Sequence, residues 1–437
     1  MLNIRYFLFS LSLVLSTASF AQQLPHLSLM DAISEGLENN FSILLASNSA
    51  EISSNNATRG NAGMLPSVNL NGTLNRANSN SFIRYSDGRE QNRTGAATNW
   101  NTNVALDWTV FDGFAMFANY ERLRELELMG QENLRATVQQ TVASIMNVYF
   151  DIVSRQYEID ATRRILQISR LRMRSANDRF LSGRVSRVDV LSAQVDYNAD
   201  TVSYIRQTEA LRQSKIQLNR LLAREITSNF WASDSIIIDQ TLIFGNIFDA
   251  AMAENPNLIL SRMSVNAATF ALRATEGSQY PRVRLTSNYT FAGSHSATGD
   301  IQLNRSGTFN YGATLSIPLF NGFNINRQIA NARLEREAAE IRYEQMQKDI
   351  EAQVATAYST YVVFRNLANF EAQNLGLASE NLDISMDRYQ LGAISAVELR
   401  DVQRSYISAN NRYIAATFNA KIAETALKLL TGNVMTF

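Results

Sequence analysis

Glu398 and Asp401 stand three positions apart in a stretch with helical character, so both carboxylates fall on one face of a helix. Two carboxylates set across a cleft can divide the acid and base work of a hydrolase. Side chains on one helix face do not oppose each other across a substrate, so that chemistry is disfavoured. Gathered around an axis by several copies of a chain, the same pair makes a negative ring that favours cations and raises some of its own pKa values by like-charge repulsion. In isolation it is equally a solvated helix face. Other chemistry is thinly supplied. Cysteine is absent, which excludes disulfides, Cys-ligated zinc and thiol catalysis. The two histidines, His26 and His295, leave little room for a metal site or a triad. The expectation is no catalytic set, no cofactor, no metal and no enzyme.

Composition narrows the class further. The 437 residues carry 40 basic and 40 acidic side chains, a balance that argues against nucleic-acid binding, which needs a basic surface. After the extreme N-terminus nothing reaches the ~18–20 apolar residues of a membrane-spanning helix. Against this polar background there are only 5 prolines, with 16 Tyr and 22 Phe. Residues 1–21 read as an export signal. Arg5 supplies the charge, Tyr6 to Leu15 the apolar run, and Ser19-Phe20-Ala21 the small-x-small site. The mature chain then starts at Gln22 outside the cytoplasm, and without cysteine it is not lipidated.

The elements that position the carboxylates come in two copies. Phe111-Asp112-Gly113-Phe114 returns 209 positions later as Phe320-Asn321-Gly322-Phe323, Tyr149 as Tyr358, and Asp178-Arg179-Phe180 as Asp387-Arg388-Tyr389. Gly183, Ser186 and Val188 return as Gly392, Ser395 and Val397. Upstream the offset is 215, matching Pro66 to Pro281 and Asn40 to Asn255, so the first copy holds extra length between Pro66 and Phe111. That length is expected in a longer loop. The first repeat covers 22–225, a linker 226–246, and the second repeat 247–437.

Each repeat begins with a short helix, about 41–62 and 257–278, ending before Pro66 or Pro281. A β-hairpin follows, at about 67–110 and 282–317. Val68, Leu70 and Leu74 alternate with Asn69, Asn71 and Thr73, and the period of two marks strands of about 10–12 residues. After Phe114 and Phe323 the spacing changes to threes and fours, as in Leu134, Val138, Thr141, Ile145, Val148 and Ile152, the seam of a coiled coil. No proline interrupts 115–180 or 324–389, so each is a helix roughly 100 Å long at ~1.5 Å per residue. Gly183 and Gly392 turn the chain into return helices at 188–224 and 396–431. Pro66, Gly113, Pro281, Pro318 and Gly322 punctuate the strand–helix joints. The loops near 79–98 and 293–306 are rich in Ser, Asn and Gly.

Alternation alone does not separate a soluble sheet from a lipid-facing one. Two arguments favour lipid. The hairpins are flanked by helices with no apolar surface broad enough to cover a sheet, and an exported chain has access to the outer membrane. Four strands cannot close a barrel, the smallest of which have ~8. The chain is therefore expected to be an oligomer, of eight strands as a dimer or twelve as a trimer.

The tandem layout, the segment Glu254-Asn255-Pro256-Asn257-Leu258, Phe-Asp-Gly after the second strand, and Arg-Phe/Tyr-x-x-Gly-x-x-Ser at both helical turns resemble the TolC-type outer membrane efflux proteins. The resemblance covers about 28–432. It implies a mostly α fold with a small β portion, made of long coiled-coil hairpins and two β-hairpins. Three copies would build a 12-stranded outer-membrane β-barrel continuous with a periplasmic α-helical tunnel. The implied function is a passive exit duct for efflux or type I secretion. Its implied partners are two further copies, a periplasmic adaptor (membrane fusion) protein, an inner-membrane transporter and outer-membrane lipid. Glu398 and Asp401 take the place of the acidic ring at the periplasmic gate, and Asp189 and Tyr389 that of a tyrosine–aspartate latch. A second latch, arginine to hydroxyl, is missing, because Ile394 and Val188 hold those places; an apolar contact between them could substitute. Gly183, Ser186, Gly392 and Ser395 mark where the adaptor would dock, and their plainer role is turn chemistry. The basic run Arg163, Arg164, Arg170, Arg172 and Arg174 reads as a solvated helix face, with contact to the adaptor as the sharper alternative. Phe437 is terminal and aromatic, but no alternating strand precedes it. The rival readings are a coiled-coil structural protein with β-hairpin heads and a hydrolase built on Glu398 and Asp401.

Overall fold

The computed structural model describes residues 25–297 and 301–434. The export signal at 1–21 and Phe437 lie outside the described residues. In chain order the elements are β1 (His26–Leu27), α1 (Leu29–Asn39), α2 (Phe41–Asn56), β2 (Ser67–Arg84), β3 (Glu90–Phe111), α3 (Ala115–Leu181), α4 (Arg187–Leu221), β4 (Trp231–Ala232), α5 (Phe244–Glu254), α6 (Pro256–Glu276), β5 (Arg282–Ser296), β6 (Leu303–Ser316), α7 (Asn324–Gln390) and α8 (Ala396–Leu430). They fall into two compact units. One takes Met1–Leu44, Ala136–Asn255 and Ile350–Phe437; the other takes Leu45–Arg135 and Pro256–Asp349. Among the described residues no helix is long and apolar enough to cross a membrane.

In the first unit the heptad stripe of α3 is buried as its spacing requires. Ile145, Ile152 and Ile159 pack with Ile33 of α1 and Leu211 and Leu218 of α4, and Phe230 and Ala232 close the cluster. The Tyr149 hydroxyl lies 2.6 Å from Asp234 Oδ2 and 2.9 Å from the Leu27 carbonyl, which ties β1 and the segment after β4 to α3. Burial, and then the bond to the Asp234 carboxylate, hold that phenol above its ordinary pKa. The repeat is visible in the bonding. Asn40 Nδ2 donates to the Leu221 carbonyl at 2.7 Å, and its counterpart Asn255 donates to the Leu430 carbonyl at 2.9 Å. Each closes the end of a return helix whose last carbonyls lack intrahelical partners. The linker 226–246 contains β4, which pairs in parallel with β1. Further along it, Asp239 N donates to Glu424 Oε2 at 2.9 Å, and Glu424 is itself held by Lys421 and Lys428 at 2.8 and 3.1 Å.

The second unit holds one antiparallel sheet of order β2-β3-β5-β6. The two hairpins, one from each repeat, join along β3 and β5, which leaves β2 and β6 as the outer strands. The strands have 18, 22, 15 and 14 residues, longer than the 10–12 expected. Most of 79–98 is therefore paired strand and not loop, with Ser79 opposite Gly95 and Ile83 opposite Gln91; 292–295 likewise pairs with 303–306. The extra length of the first repeat sits in these strands. Both faces of the outer half are largely polar, and its apolar Phe82 and Ile83 are consecutive and fall on opposite faces, so the alternation that betrays a strand vanishes while the backbone ladder continues. The turn itself is short, closed by Tyr85 N to Arg89 O at 2.8 Å.

At the sheet-to-helix joints, Gly113 and Phe114 both take positive φ, 74° and 69°, as do Gly322 and Phe323 at 65° and 61°. Phe111 and Phe114 stack edge-to-face at 5.2 Å, and Phe320 and Phe323 repeat the contact at 5.5 Å. Pro66, Pro281 and Pro318 stand just outside the strands, where a residue without an N–H breaks no ladder bond.

Candidate functional site

The turns between α3 and α4 and between α7 and α8 are built alike. Gly183 and Gly392 take φ of 71° and 76°. Gly183 N donates to Phe180 O and Arg184 N to Arg179 O at 2.9 and 2.8 Å, and the second turn matches with Gly392 to Tyr389 and Ala393 to Arg388. This paired bonding ends a helix with a left-handed residue, the position glycine occupies at least cost. Ser186 and Ser395 then cap the return helices, each in a reciprocal box with an acid three residues on. Those acids are Asp189 and Glu398. Asp189 Oδ2 accepts from Ser186 N at 2.9 Å, and Glu398 Oε2 accepts from Ser395 N at 2.8 Å. Two residues singled out for the gate thus begin as helix caps. Asp401 lies three residues beyond Glu398, 69% exposed, with Arg404 at 3.9 Å.

Between the two hairpins lies a charge network that sequence reasoning missed. Arg400 on α8 grips Asp200 on α4 with both ends of its fork, at 2.8 and 3.0 Å, and reaches Asp196 at 3.5 Å. Arg172 on α3 pairs with Asp196 from the other side, and its Nη1 donates to the Ala396 carbonyl at 3.4 Å. Ser169 Oγ donates to Asp200 at 2.5 Å. Burial disfavours the Arg400 charge, but Asp200 and then Asp196 outweigh it and hold its pKa above the ordinary value. Arg172 is 1% exposed, so the run of arginines is not uniformly a solvated face. Arg164 also turns inward across the hairpins, to Asp383 and over the Tyr406 ring at 5.3 Å. Arg163, by contrast, stays on its own helix with Asp160 at 2.8 Å.

Tyr389 is buried in a cluster with Leu382, Leu399 and Tyr406. Arg179 lies over its ring at 5.2 Å and donates to its backbone carbonyl at 3.2 Å. Asp189 and Tyr389 line the same cavity of about 420 Å³, with Arg172, Arg400, Asp401 and Ile394. Among the described residues no hydrogen bond joins the Asp189 and Tyr389 side chains, because the Asp189 carboxylate is taken up by Ser186. Ile394 packs on the Tyr389 cluster, while Val188 is 68% exposed.

The sheet of the second unit has two unlike faces. Across it, Leu70, Val104, Tyr289 and Phe309 stand in one row on one side, and Asn71, Asn103, Thr290 and Thr308 in the next row, pointing to the other. The polar face bears a depression of about 240 Å³ lined by Asn75, Asn99, Asn101 and Asn304. Asp107 and Arg284, both on this face, pair at 3.4 Å.

The family described as outer membrane efflux protein matches residues 32–224 and 247–433. The outer membrane efflux protein BepC of Brucella suis biovar 1 is 20% identical over 341 residues, 77% of this chain and 73% of its own. The outer membrane protein TolC of Vibrio cholerae is 22% identical over 442 residues, 96% of this chain and 93% of its own. Among solved structures, the Campylobacter jejuni CmeC outer membrane channel superimposes with a TM-score of 0.78 at 14% identity, covering 92% of this chain and 85% of that one. The open state of the Neisseria gonorrhoeae MtrE outer membrane channel gives 0.75 at 17%, covering 93% and 89%.

Proposed function

The chain belongs to the outer membrane efflux protein family, and from that premise we propose how its own residues close and open the duct. It is an outer-membrane efflux channel of the kind that serves tripartite pumps and secretion systems, with a large periplasmic portion. Three copies assemble, so that three four-stranded sheets make a 12-stranded barrel with the Asn/Thr faces toward the lumen and the aromatic faces toward lipid. The coiled-coil hairpins continue it as a periplasmic tunnel. The observation that carries this reading is the sheet itself, uncharged and apolar on one face over its helix-joined part, polar on the other, with two outer strands left to pair with neighbouring copies.

The hairpin turns are the gate. Glu398 and Asp401 stand at the start of α8, and three copies set six carboxylates around the axis, a ring that attracts cations. The pairs of Arg400 with Asp200 and Asp196, and the bond from Arg172 to the Ala396 carbonyl, clamp the second hairpin to the first, and Tyr389 under Arg179 completes the hold. Gly183, Ser186, Gly392 and Ser395 present the turns to a periplasmic adaptor, which opens the tip for an inner-membrane transporter. Catalysis has no part in this; substrate moves through a passive duct.

The reconstituted full-length protein in planar bilayers tests the gate. Glu398→Ala with Asp401→Ala is expected to lower cation selectivity and weaken block by multivalent cations; unaltered reversal potentials would take both residues off the conduction path. Asp189→Ala or Tyr389→Ala is expected to raise single-channel conductance. Unchanged conductance in both would remove the pair as a latch.

A further inference from the structure

The apolar face of the sheet is bounded by two unpaired cations in adjacent rows. Following the ladder, Phe111, Val283 and Leu315 sit near the helix-joined end, and Leu74, Trp100 and Gly293 sit ten residues along β5 from Val283. At ~3.4 Å per residue and a tilt of ~40°, those ten residues rise about 26 Å, the height of the apolar band of an outer-membrane barrel. Within that band no Asp, Glu, Lys or Arg stands on this face among the described residues. At its outer edge Arg305 pairs in register with Gly293, and one row further out Arg76 opposes Thr98, which itself opposes His295. Trp100 lies in the Arg305 row, laid over Gly293 and edge-to-face with Phe291 at 5.0 Å. An indole at this depth marks the membrane–water interface.

Arg76 and Arg305 are exposed, and among the described residues neither has an ion pair or hydrogen bond. Three other cations differ, while Arg282 stands at the helix-joined end of the polar face, away from this rim. Arg84 holds Glu90, Arg89 holds Asp87 at 2.7 Å, and Arg284 holds Asp107 at 3.4 Å. Two free guanidinium groups at the rim of a lipid-facing band lack an anion, and the anion available at that height is a headgroup phosphate. Beyond the rim, Asn78, Asn80, Asn92 and Thr94 continue the same face with neutral hydrogen-bonding groups, suited to sugar hydroxyls.

We propose that Arg76 and Arg305 bind the phosphates of the outer-leaflet glycolipid, fixing the depth of the barrel in the membrane. The inference rests on the barrel reading above. Arg76 and Arg305 lie on the two outer strands, so closing the barrel with further copies brings them onto neighbouring strands, where one phosphate can take both.

The test uses the purified full-length protein, with binding of bisphosphorylated lipid A and of its dephosphorylated form measured by native mass spectrometry. The wild type is expected to prefer the phosphorylated lipid by about tenfold or more, as charge-assisted bonds to phosphate require. R76Q/R305Q should lose that preference, R76K/R305K should recover most of it, and R84Q, whose arginine already holds Glu90, should keep it. Equal binding of the phosphorylated lipid by R76Q/R305Q and wild type, or the same loss toward the dephosphorylated lipid, overturns the assignment. Failure of the wild type to bind either lipid would instead overturn the barrel reading. Unchanged far-UV circular dichroism of the variants excludes misfolding as the cause.

Discussion

Arg400→Ala is expected to give a channel with larger single-channel conductance and a leakier outer membrane, with the fold otherwise intact. The substitution removes a bidentate partner from Asp200 and one of two cations from Asp196. The Arg400 and Asp200 side chains are only 14% and 13% exposed, so the orphaned carboxylates do not regain full hydration. Breaking a buried pair from one side costs roughly 3–5 kcal/mol, and the partial exposure here places the cost near the lower end. A bias of about 3 kcal/mol shifts a closed–open equilibrium by more than a hundredfold in each copy. The penalty falls between the hairpins and not within them, so the tip yields before the helices do. Two companions separate charge from bulk. Arg400→Lys keeps the charge but loses the fork, and should fall between wild type and alanine. Arg400→Met with Asp200→Leu removes both charges and should approach the wild type, since replacing a buried pair with apolar groups is often neutral. Wild-type conductance in Arg400→Ala would mean that this network does not hold the gate.

That network shows where sequence reasoning stops. The long helices, the strands and the joints were legible because each is written in local periodicity or repeated at one offset. Gly113 and Gly322, or Ser186 and Ser395, announce themselves by recurring in register. Arg400 and Asp200 do not, because their partnership joins positions 200 residues apart and only one repeat has it. Arg172 was misread because a basic run on a helix looks solvated. Its position carried the correction, since it follows Ile165 by seven residues and Ile168 by four, on the stripe that buries both. An arginine on an apolar stripe calls for a carboxylate partner, and the half-buried Asp196 supplies it. The outer halves of the strands were lost for the opposite reason. Ser79 to Ser81 and Gln91 to Gly95 carry no apolar side chain on either face, and the adjacent Phe82 and Ile83 fall one on each, so pairing there is a matter of backbone hydrogen bonds and leaves no hydrophobic period. The short β1–β4 pair, two residues long, carries no pattern at all.

Gly113→Ala is expected to abolish assembly of the channel, while Gly322→Ala is tolerated, although the two glycines occupy equivalent places in the repeat. Both have left-handed backbones, φ 74° and 65°, for which an alanine costs about 1–2 kcal/mol. At Gly322 nothing lies within 4 Å of an added Cβ, so that cost is the whole of it. At Gly113 the added carbon would clash with the Gly277 carbonyl oxygen and come 2.7 Å from Tyr280 Cβ. Neither atom is the end of a flexible chain. Gly277 belongs to the 3₁₀ turn Gly277–Gln279, which itself leaves no room, since a Cβ there would stand 2.8 Å from Ala115 Cβ. Relief therefore requires the joint between β3 and α3 to move away from the turn before β5. Adding such overpacking, about 1–3 kcal/mol, to the backbone strain brings the total to roughly 2–5 kcal/mol, a large part of the stability of an ordinary domain. The heat-resistant assembly on semi-native gels of outer-membrane extracts reads the difference: absent or much reduced for Gly113→Ala, near wild type for Gly322→Ala. Equal melting of the two variants would show that the close approach of Gly113 and Gly277 is not what sets this joint.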